Sequence, residues 1–355
     1  MKLLRTVTAG LALLAAATWM PVAEPAMAQQ SRTFDLQHGF PINLPSLGPS
    51  PGRWAQMVDA MTNGEIKIRV RNAGELSPPL EMFGAVSSGA IPMAFDWMGY
   101  WANQIPVTNL VSAMPFGASP EILLAWMFRG GGLEIIQKAY DPHNVVILPC
   151  HLVDSEAGGW FRKEINSVDD LKGLRMRIAG LGALVLSKLG VSTQLVPAGE
   201  IFVALERGRI DATEFSLPSI DRGLGFYRVA KNYYFPGWHQ LATWDSIIIN
   251  KGVWNSFTDR QRTIMREACM ANVTFNMYDQ IDTQRTALEY YRSQGVTIRR
   301  FPDTVLTALQ KASEEVLNEQ AARDPLFKEA LTSLRDYITK VGEWRELQRI
   351  PAPLR

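Results

Sequence analysis

Hydrophobic and polar residues alternate in several short stretches of the chain, which is the pattern of a β-strand with one buried face. In the stretch LKGLRMRIAG, Leu174, Met176 and Ile178 form the apolar face, and Arg175 and Arg177 lie on the opposite face. The guanidinium of an arginine keeps its charge in a protein, so an arginine on a core strand needs an acceptor. Further strands are predicted at residues 66–70, 91–97 and 144–149.

Longer segments carry apolar residues three and four positions apart, which is the spacing of an amphipathic α-helix. Such helices are predicted at residues 52–62, 79–90, 197–207 and 304–345. Residues 258–295 have no proline and no interior glycine. They predict one helix of roughly 50 Å, at a rise of ~1.5 Å per residue. Because this helix is longer than a small domain is wide, we expect it to extend across two lobes.

The first 28 residues have the pattern of a secretory signal peptide. Lys2 and Arg5 make a basic start, residues 9–17 are apolar, and Ala26-Met27-Ala28 fits the small-residue cleavage pattern. The alternative is a membrane anchor, for which the apolar stretch is short. We predict cleavage after Ala28 and a location in a bacterial periplasm.

Charge and size narrow the classes of protein that fit this chain. Removing the leader takes away two cations and one anion and leaves 34 Lys+Arg against 34 Asp+Glu. A neutral balance does not indicate a nucleic acid or a charged membrane surface as partner. The alternation of helices and strands predicts an α/β fold, and about 327 residues exceed one core, so two lobes are expected.

Cys150 and Cys269 are the two cysteines of the chain. An oxidising compartment permits them to pair, but two cysteines so far apart define no disulfide framework. The sequence therefore leaves open whether Cys150 and Cys269 pair.

Sequence motifs of common catalytic sites are absent. The chain has no phosphate-binding loop, CxxC pair, HExxH or GxSxG. Its histidines (His38, His143, His151 and His239) lack metal-ligand spacing, and His38 and His239 are interpreted as structural or surface residues. A nucleophile–base set formed in the fold is not excluded, but no residue pattern indicates an enzyme.

Ten tryptophans, several of them beside glycine or proline in loop-like segments, suggest an aromatic-walled cavity. Packing between lobes is an equal alternative for any one of them. Arg177 lies near the carboxyl end of its strand, where α/β sheets bind ligands. From the pattern alone, an anionic ligand and a structural ion pair are both open for Arg177. Arg175 is interpreted as a solvated charge on the sheet surface.

Several motifs together resemble the DctP-type solute-binding subunits of tripartite ATP-independent periplasmic (TRAP) transporters. The specific motifs are LKGLRMR and PAGEIFVALERGRIDATE, and the similarity extends in order over about residues 34–295. GGWFRKEI and YYFPGW are most similar to the branch that binds 2-oxo or 2-hydroxy monocarboxylates. Members of this family are binding proteins rather than enzymes.

The resemblance implies a two-lobe periplasmic-binding-protein fold with a long helix that spans both lobes. Residues 29–153 plus 239–280 are expected to form lobe 1, and residues 154–238 plus 281–355 to form lobe 2. Ligand is expected to bind in the cleft between them.

The resemblance also implies the ligand contacts. Arg177 matches the arginine that pairs with the substrate carboxylate, an interaction that is strong and directional once water is excluded. Tyr100 is placed to reach the ligand from lobe 1, and Trp160 and His239 are second candidates. For each of these three residues, simple packing is the alternative.

A metal cation is implied to bridge ligand and protein through Glu156, Glu214, the Phe215 carbonyl and Gln240. The family pattern has an amide at the first of these positions and an acid at the last, and this chain has them exchanged. Glu156 has a solvated loop acid as its alternative interpretation. Oxygen ligands favour a hard cation, sodium or calcium.

The predicted function is capture of a small 2-oxo or 2-hydroxy monocarboxylate in the periplasm and its delivery to TRAP membrane subunits. A dicarboxylate, a sugar acid or a sulfonate is an alternative cargo, and Arg162 is a candidate second cation for a dianion. A metal-dependent periplasmic enzyme and a sensor partner of a signalling receptor are alternatives of other classes.

Overall fold

The computed structural model describes residues 31–348, so the predicted leader at residues 1–28 lies outside the described part. Strands are β1 Arg32–His38, β2 Ile66–Arg71, β3 Met93–Trp97, β4 Val145–Val153, β5 Gly159–Phe161, β6 Arg175–Arg177, β7 Ser192–Gln194, β8 Ala212–Thr213, β9 Asn232–Phe235, β10 Thr243–Asn250 and β11 Thr297–Arg300. Helices are α1 Ser50–Met61, α2 Met82–Ser88, α3 Asn109–Ser112, α4 Pro120–Arg129, α5 Gly132–Tyr140, α6 Gly180–Lys188, α7 Ala198–Glu206, α8 Pro218–Leu224, α9 Lys251–Asn255, α10 Asp259–Ser293, α11 Asp303–Arg323 and α12 Pro325–Leu347. Within residues 31–348, every helix is too short or too polar to cross a bilayer.

The strands form two separate mixed sheets. Sheet 1 has the order β2-β1-β3-β10-β4, and sheet 2 has the order β11-β9-β5-β8-β6-β7. In sheet 1, β10 runs antiparallel to both of its neighbours. Its sequence TWDSIIIN is buried along its whole length, as expected of a central strand covered on both faces. The predicted α/β architecture is therefore observed with two sheets.

Most predicted elements are observed, with differences that have local causes. The apolar face of LKGLRMRIAG is as expected, because Met176 and Ile178 are buried, but only three residues pair as β6. The predicted helical region 304–345 is divided into α11 and α12 at Asp324-Pro325. Pro325 has no N–H to continue α11, and the Asp324 carboxylate caps α12 by accepting the Phe327 N–H at 2.9 Å.

The predicted long helix is confirmed as α10, with 35 residues. A capping box starts it, in which the Thr258 hydroxyl accepts the Gln261 N–H and the Gln261 side chain accepts the Thr258 N–H. Its first half packs on sheet 1, where Asn272 donates to the Cys150 carbonyl at 2.8 Å. Its last turns pack on α8, where the Tyr291 hydroxyl donates to the carbonyl of Pro218, the first residue of α8, at 2.6 Å.

The structure answers the question of pairing that the sequence left open. Cys150 of β4 and Cys269 of α10 form a disulfide that joins the long helix to sheet 1. No local pattern indicates the pair, since 119 positions separate the two residues and only the packing of α10 on β4 brings them together.

Removal of this disulfide should destabilise the protein. For the closed loop of this length, the Cys150→Ala/Cys269→Ala variant should lose about 2–5 kcal/mol of unfolding free energy. Urea unfolding with and without reductant provides the measurement. Reductant should destabilise the wild type and leave the double variant unchanged, and equal sensitivity of the two proteins would contradict the pairing.

A buried histidine should make the fold sensitive to mild acid. The His38 Nδ1 accepts the Phe40 N–H at 3.0 Å, and its Nε2–H points to the Leu47 and Gly48 carbonyls. Burial lowers the pKa of His38 to about 4, against the raising effect of those two carbonyls. Between about pH 6.5 and 4 the unfolded chain therefore binds a proton here that the folded protein does not, so stability falls as pH falls.

We expect His38→Gln to reduce the slope of unfolding free energy against pH by up to one proton in this range. Urea unfolding at several pH values between 4 and 7.5 measures that slope. Phe40→Leu weakens the same cluster without removing a titratable group and should keep the wild-type slope. An unchanged slope in His38→Gln would show that His38 does not contribute.

Candidate ligand-binding site

A small cavity lies where the strand ends of sheet 1 meet the strand ends of sheet 2. Sheet 1 contributes the carboxyl ends of β3 and β4 and the start of β10. Sheet 2 contributes the carboxyl ends of the parallel strands β6 and β8, which is where α/β sheets bind ligands. The lining residues are Phe40, Leu47, Trp97, Tyr100, Val153, Glu156, Arg177, Ala179, Glu214, Phe215, Ser216, Gln240, Thr243 and Asp245.

Arg177 is the last residue of β6, and its side chain is 3 % exposed. Its Nη1 donates to the Glu214 carboxylate at 2.8 Å and to the Glu214 carbonyl at 2.9 Å, and its Nε donates to the Val196 carbonyl at 3.2 Å. Its Cζ lies 5.3 Å from the ring centre of Phe215. Among the described residues, none accepts a hydrogen bond from Nη2. The guanidinium is thus fixed in place and keeps one nitrogen for a ligand.

Glu214 follows β8 and is as deeply buried as Arg177. Its Oε1 also accepts the Ala179 N–H at 3.0 Å. Burial raises the pKa of Glu214, but Arg177, His239 and the Ala179 N–H together lower it by more, and the net pKa lies below its ordinary value. The carboxylate is therefore ionised at neutral pH.

Two loops that hold predicted metal ligands are locked together. The Glu156 N–H donates to the Gln240 carbonyl at 3.2 Å. Gly237 approaches so closely that a Cβ there would lie 2.2 Å from the Glu156 carbonyl oxygen. This contact requires glycine, and it places the Glu156 and Gln240 side chains at one wall of the cavity.

Glu156, Glu214 and His239 form a buried cluster in which one donor atom from each lies within 4.8 Å of the others. Burial is the largest influence on Glu156 and raises its pKa to about 7. Burial alone would lower the pKa of His239, but the two carboxylates raise it to about 9. The Glu156 Oε2 is buried and has no hydrogen-bond partner among the described residues. An unpaired buried carboxylate oxygen beside an ionised carboxylate fits a cation site.

The structure brings most of the sequence-predicted site residues together. Arg177, Glu156, Glu214, Phe215, Gln240 and Tyr100 all line the cavity. Trp160 does not lie at the cavity wall, because its indole stacks on Tyr233 with centroids 3.8 Å apart and donates to Asp221 at 2.8 Å. The aromatic wall consists instead of Phe40, Trp97, Tyr100 and Phe215.

Sequence reasoning missed one polar residue of the site and gave another a secondary place. His239 was interpreted as structural or surface and named only as a second candidate for ligand contact, and it lies in the carboxylate cluster. Asp245 lines the cavity from β10 and has a buried, unpartnered Oδ2. The signal for Asp245 was available, since one acid interrupts the apolar strand TWDSIIIN and a buried acid needs a partner.

Similarity to known proteins identifies the family. Residues 50–324 match the family described as bacterial extracellular solute-binding protein, family 7. The chain belongs to this family. The family membership predicted from the motifs is confirmed, as is the expectation of a binding protein of a transport system rather than an enzyme.

Relatives of this solute-binding protein bind small carboxylates. A monocarboxylate 2-oxoacid-binding periplasmic protein of Nostoc sp. is 36 % identical over 298 residues, which are 83 % of this chain and 81 % of the relative. A TRAP periplasmic solute-binding protein from Colwellia psychrerythraea, solved with calcium and pyruvate, has a TM-score of 0.86 and 34 % identity, over 90 % of this chain and 97 % of the other. One from Pseudoalteromonas atlantica, with sodium and pyruvate, has a TM-score of 0.86 and 32 % identity, with the same coverage. This likeness confirms the two-lobe fold.

Replacement of Gly237 should disturb the wall that holds Glu156. In Gly237→Ala the new methyl group meets the Glu156 carbonyl, and the two loops must separate, at a cost of about 1–3 kcal/mol of unfolding free energy. Gly199→Ala is the matched control, because a Cβ there has nothing within 4 Å. Thermal unfolding of both variants tests the contact, and equal stability of the two would contradict it.

Proposed function

We propose that this protein captures a small 2-oxo or 2-hydroxy monocarboxylate such as pyruvate and delivers it to the membrane subunits of a TRAP transporter. The observation that carries the proposal is Arg177, a buried guanidinium that lines the cavity. Pyruvate is bound by two of the similar solved proteins, and a 2-oxoacid is named for the Nostoc relative.

Arg177 anchors the carboxylate of the cargo. Its contacts with Glu214 and the Val196 carbonyl fix the plane of the guanidinium before a ligand arrives, so little side-chain entropy is lost on binding. Exclusion of water from the cavity strengthens the charge-assisted bond. Tyr100 and Trp97 cover the cargo from sheet 1, with their rings 5.2 Å apart.

Glu156, Glu214, the Phe215 carbonyl and Gln240 are proposed to hold a cation beside the cargo. When bound, that cation supplies positive charge to the cargo's carboxylate and its adjacent oxygen. The negative charges of Glu156, Glu214 and the cargo are then balanced by the positive charges of the cation and Arg177, which leaves the cavity close to neutral.

Charge favours a monoanion over a dianion. Among the described residues that line the cavity, Arg177 is the one Arg or Lys. Arg162, the candidate second cation, donates to the carbonyls of Leu205 and Glu206 instead. A dicarboxylate would therefore leave one carboxylate without a partner, at a large desolvation cost.

Each sheet is proposed to be the core of one lobe, within the lobe boundaries predicted from the sequence. Sheet 1 lies within residues 29–153 plus 239–280, and sheet 2 lies within residues 154–238 plus 281–355. Helix α12 packs on α4 and α5, and the Trp126 indole donates to Ser333 at 3.1 Å. We therefore assign α12 to lobe 1, and closure of the lobes over the cargo completes the site.

Residues 1–28 are proposed to be a cleaved signal peptide that directs the chain to the periplasm. The basic start, the short apolar stretch and the cleavage pattern support it.

The exchange of Arg177 for lysine tests the proposed function. Lysine keeps the positive charge beside Glu214 but lacks the planar fork. Loss of one charge-assisted bond of about 1.5–3 kcal/mol should weaken pyruvate binding roughly 10- to 100-fold. Isothermal titration with pyruvate in the presence of calcium gives the affinity.

Arg175→Lys is the matched control, two positions away on the same strand. Its guanidinium is half-exposed and pairs with Asp211, so pyruvate affinity should not change. Equal affinity of Arg177→Lys and wild type, or tighter binding of succinate than of pyruvate, would refute the proposed function.

A further inference from the structure

A buried carboxylate lies behind the loop that carries the Phe215 carbonyl. Asp221 belongs to the first turn of α8, is 1 % exposed and does not line the cavity. Its Oδ1 accepts the Ser216 N–H at 3.0 Å. Its Oδ2 accepts the Trp160 indole N–H at 2.8 Å and the Tyr233 hydroxyl at 3.0 Å. Asp221 is therefore anchored through one oxygen and holds a backbone group of the site through the other.

The N–H that Asp221 holds belongs to the same peptide group as the Phe215 carbonyl. Within residues 31–348 the bond before Pro236 is the one cis peptide bond, so the bond between Phe215 and Ser216 is trans. In a planar trans peptide group the C=O points opposite to the N–H. The hydrogen bond from Ser216 to Asp221 therefore fixes the direction of the Phe215 carbonyl. No residue in the described part of the chain donates a hydrogen bond to that carbonyl oxygen.

The same hydrogen bond makes the Phe215 carbonyl a better cation ligand. An acceptor at the N–H of a peptide group shifts electron density toward its carbonyl oxygen, because interactions through one polar group reinforce one another. Residues that hold and polarise a ligand group typically change metal affinity by about 10- to 100-fold. Burial raises the pKa of Asp221 above its ordinary value, against the lowering effect of its three donors. The Asp221 Oδ1 accepts the Ser216 N–H whether or not Oδ2 carries a proton.

The peptide group held by Asp221 is also tied to the loop of Glu156 and to the long helix. The Ser216 carbonyl accepts the N–H of Ala157, which directly follows Glu156, at 3.4 Å. Helix α8 is fastened to α10, since the Gln284 Oε1 accepts the Ser219 N–H at 2.9 Å. The position of the Phe215 carbonyl thus depends on a chain of contacts that runs from α10 through α8.

We propose that Asp221 is a positioning residue of the cation site, which orients and polarises the Phe215 carbonyl as a cation ligand through the Ser216 N–H. This inference rests on the proposed function, because it concerns the same cation site. It fits calcium or sodium, which prefer oxygen ligands. It also gives Trp160 a role, since the Trp160 indole holds Asp221 rather than the cargo.

Nuclear magnetic resonance can observe this peptide group by itself, because Phe215-Ser216 is the one Phe-Ser pair in the chain. Protein labelled with ¹³C at the phenylalanine carbonyls and with ¹⁵N in serine gives one carbonyl-to-amide correlation. Calcium chloride or sodium chloride is added, each with and without pyruvate. The Phe215 carbonyl carbon signal should move, and the Ser216 amide proton should move downfield, because a cation at the carbonyl strengthens the bond to Asp221. No movement with either salt, or a carbonyl shift without the amide proton shift, overturns the inference.

Two variants of the buried cluster test the role of Asp221. Asp221→Ala removes the acceptor of the Ser216 N–H, and calcium affinity measured by calorimetry should fall at least tenfold. Tyr233→Phe is the matched control, because it removes another donor to Asp221 and keeps the ring that stacks on Trp160. Its calcium affinity should change less than threefold. Wild-type affinity in Asp221→Ala, or equal losses in the two variants, would overturn the inference. If Asp221→Ala does not fold, the wild-type spectrum decides.

Pyruvate binding separates this inference from the proposed function. If pyruvate binds with calcium while Asp221→Ala keeps the calcium affinity of the wild type, the inference fails and the proposed function stands. If Asp221→Ala loses calcium affinity and neither pyruvate nor lactate binds to the wild type with any cation, the cargo assignment fails and the role of Asp221 stands.

Discussion

Arg177 and Glu214 are both almost completely buried, and neither charge would be stable at its position without the other. The two charged groups are 2.8 Å apart. The backbone provides further hydrogen bonds: the Glu214 and Val196 carbonyls accept from Arg177, and the Ala179 N–H donates to the Glu214 carboxylate. A buried ion pair contributes little net stability, because desolvation offsets most of the attraction. What it provides here is a rigid cation at the wall of the cavity.

The topology of the sheets explains why this cation meets a cavity rather than solvent. Arg177 ends β6, and Glu214 directly follows β8. Because these two strands are adjacent and parallel, both residues lie at the same end of the strands of sheet 2. The strand ends of sheet 1 that line the cavity supply Trp97 of β3 and Asp245 of β10, which are directly paired. The long helix α10 packs on both sheets and is tied to sheet 1 by the disulfide. A site built from residues far apart in the chain therefore depends on a small number of long-range constraints.

The sequence predicted what depends on local pattern and missed what depends on long-range packing. The absence of proline and interior glycine located α10, and the alternation around Arg177 identified a buried strand with one unexplained charge. The resemblance to a family then supplied the role of that charge, which no pattern within one strand contains. Cys150–Cys269 and the position of His239 require the relative placement of distant segments, and local propensity carries no information about that. Local context was misleading for Trp160. Its loop-like surroundings suggested a place in the cavity, but its indole N–H donates to the buried carboxylate of Asp221 instead.

The resemblance implies an amide where this chain has Glu156 and an acid where it has Gln240, and the contact between their loops accounts for such an exchange. Because the Glu156 N–H donates to the Gln240 carbonyl, the two side chains leave the backbone at nearly the same place. An acid on either loop would reach the proposed cation, and the charge of the cavity would be the same in both cases. The Glu156 carboxylate also lies 3.7 Å from the His239 Nε2. An acid at position 156 is therefore balanced by the imidazole as well as by the proposed cation.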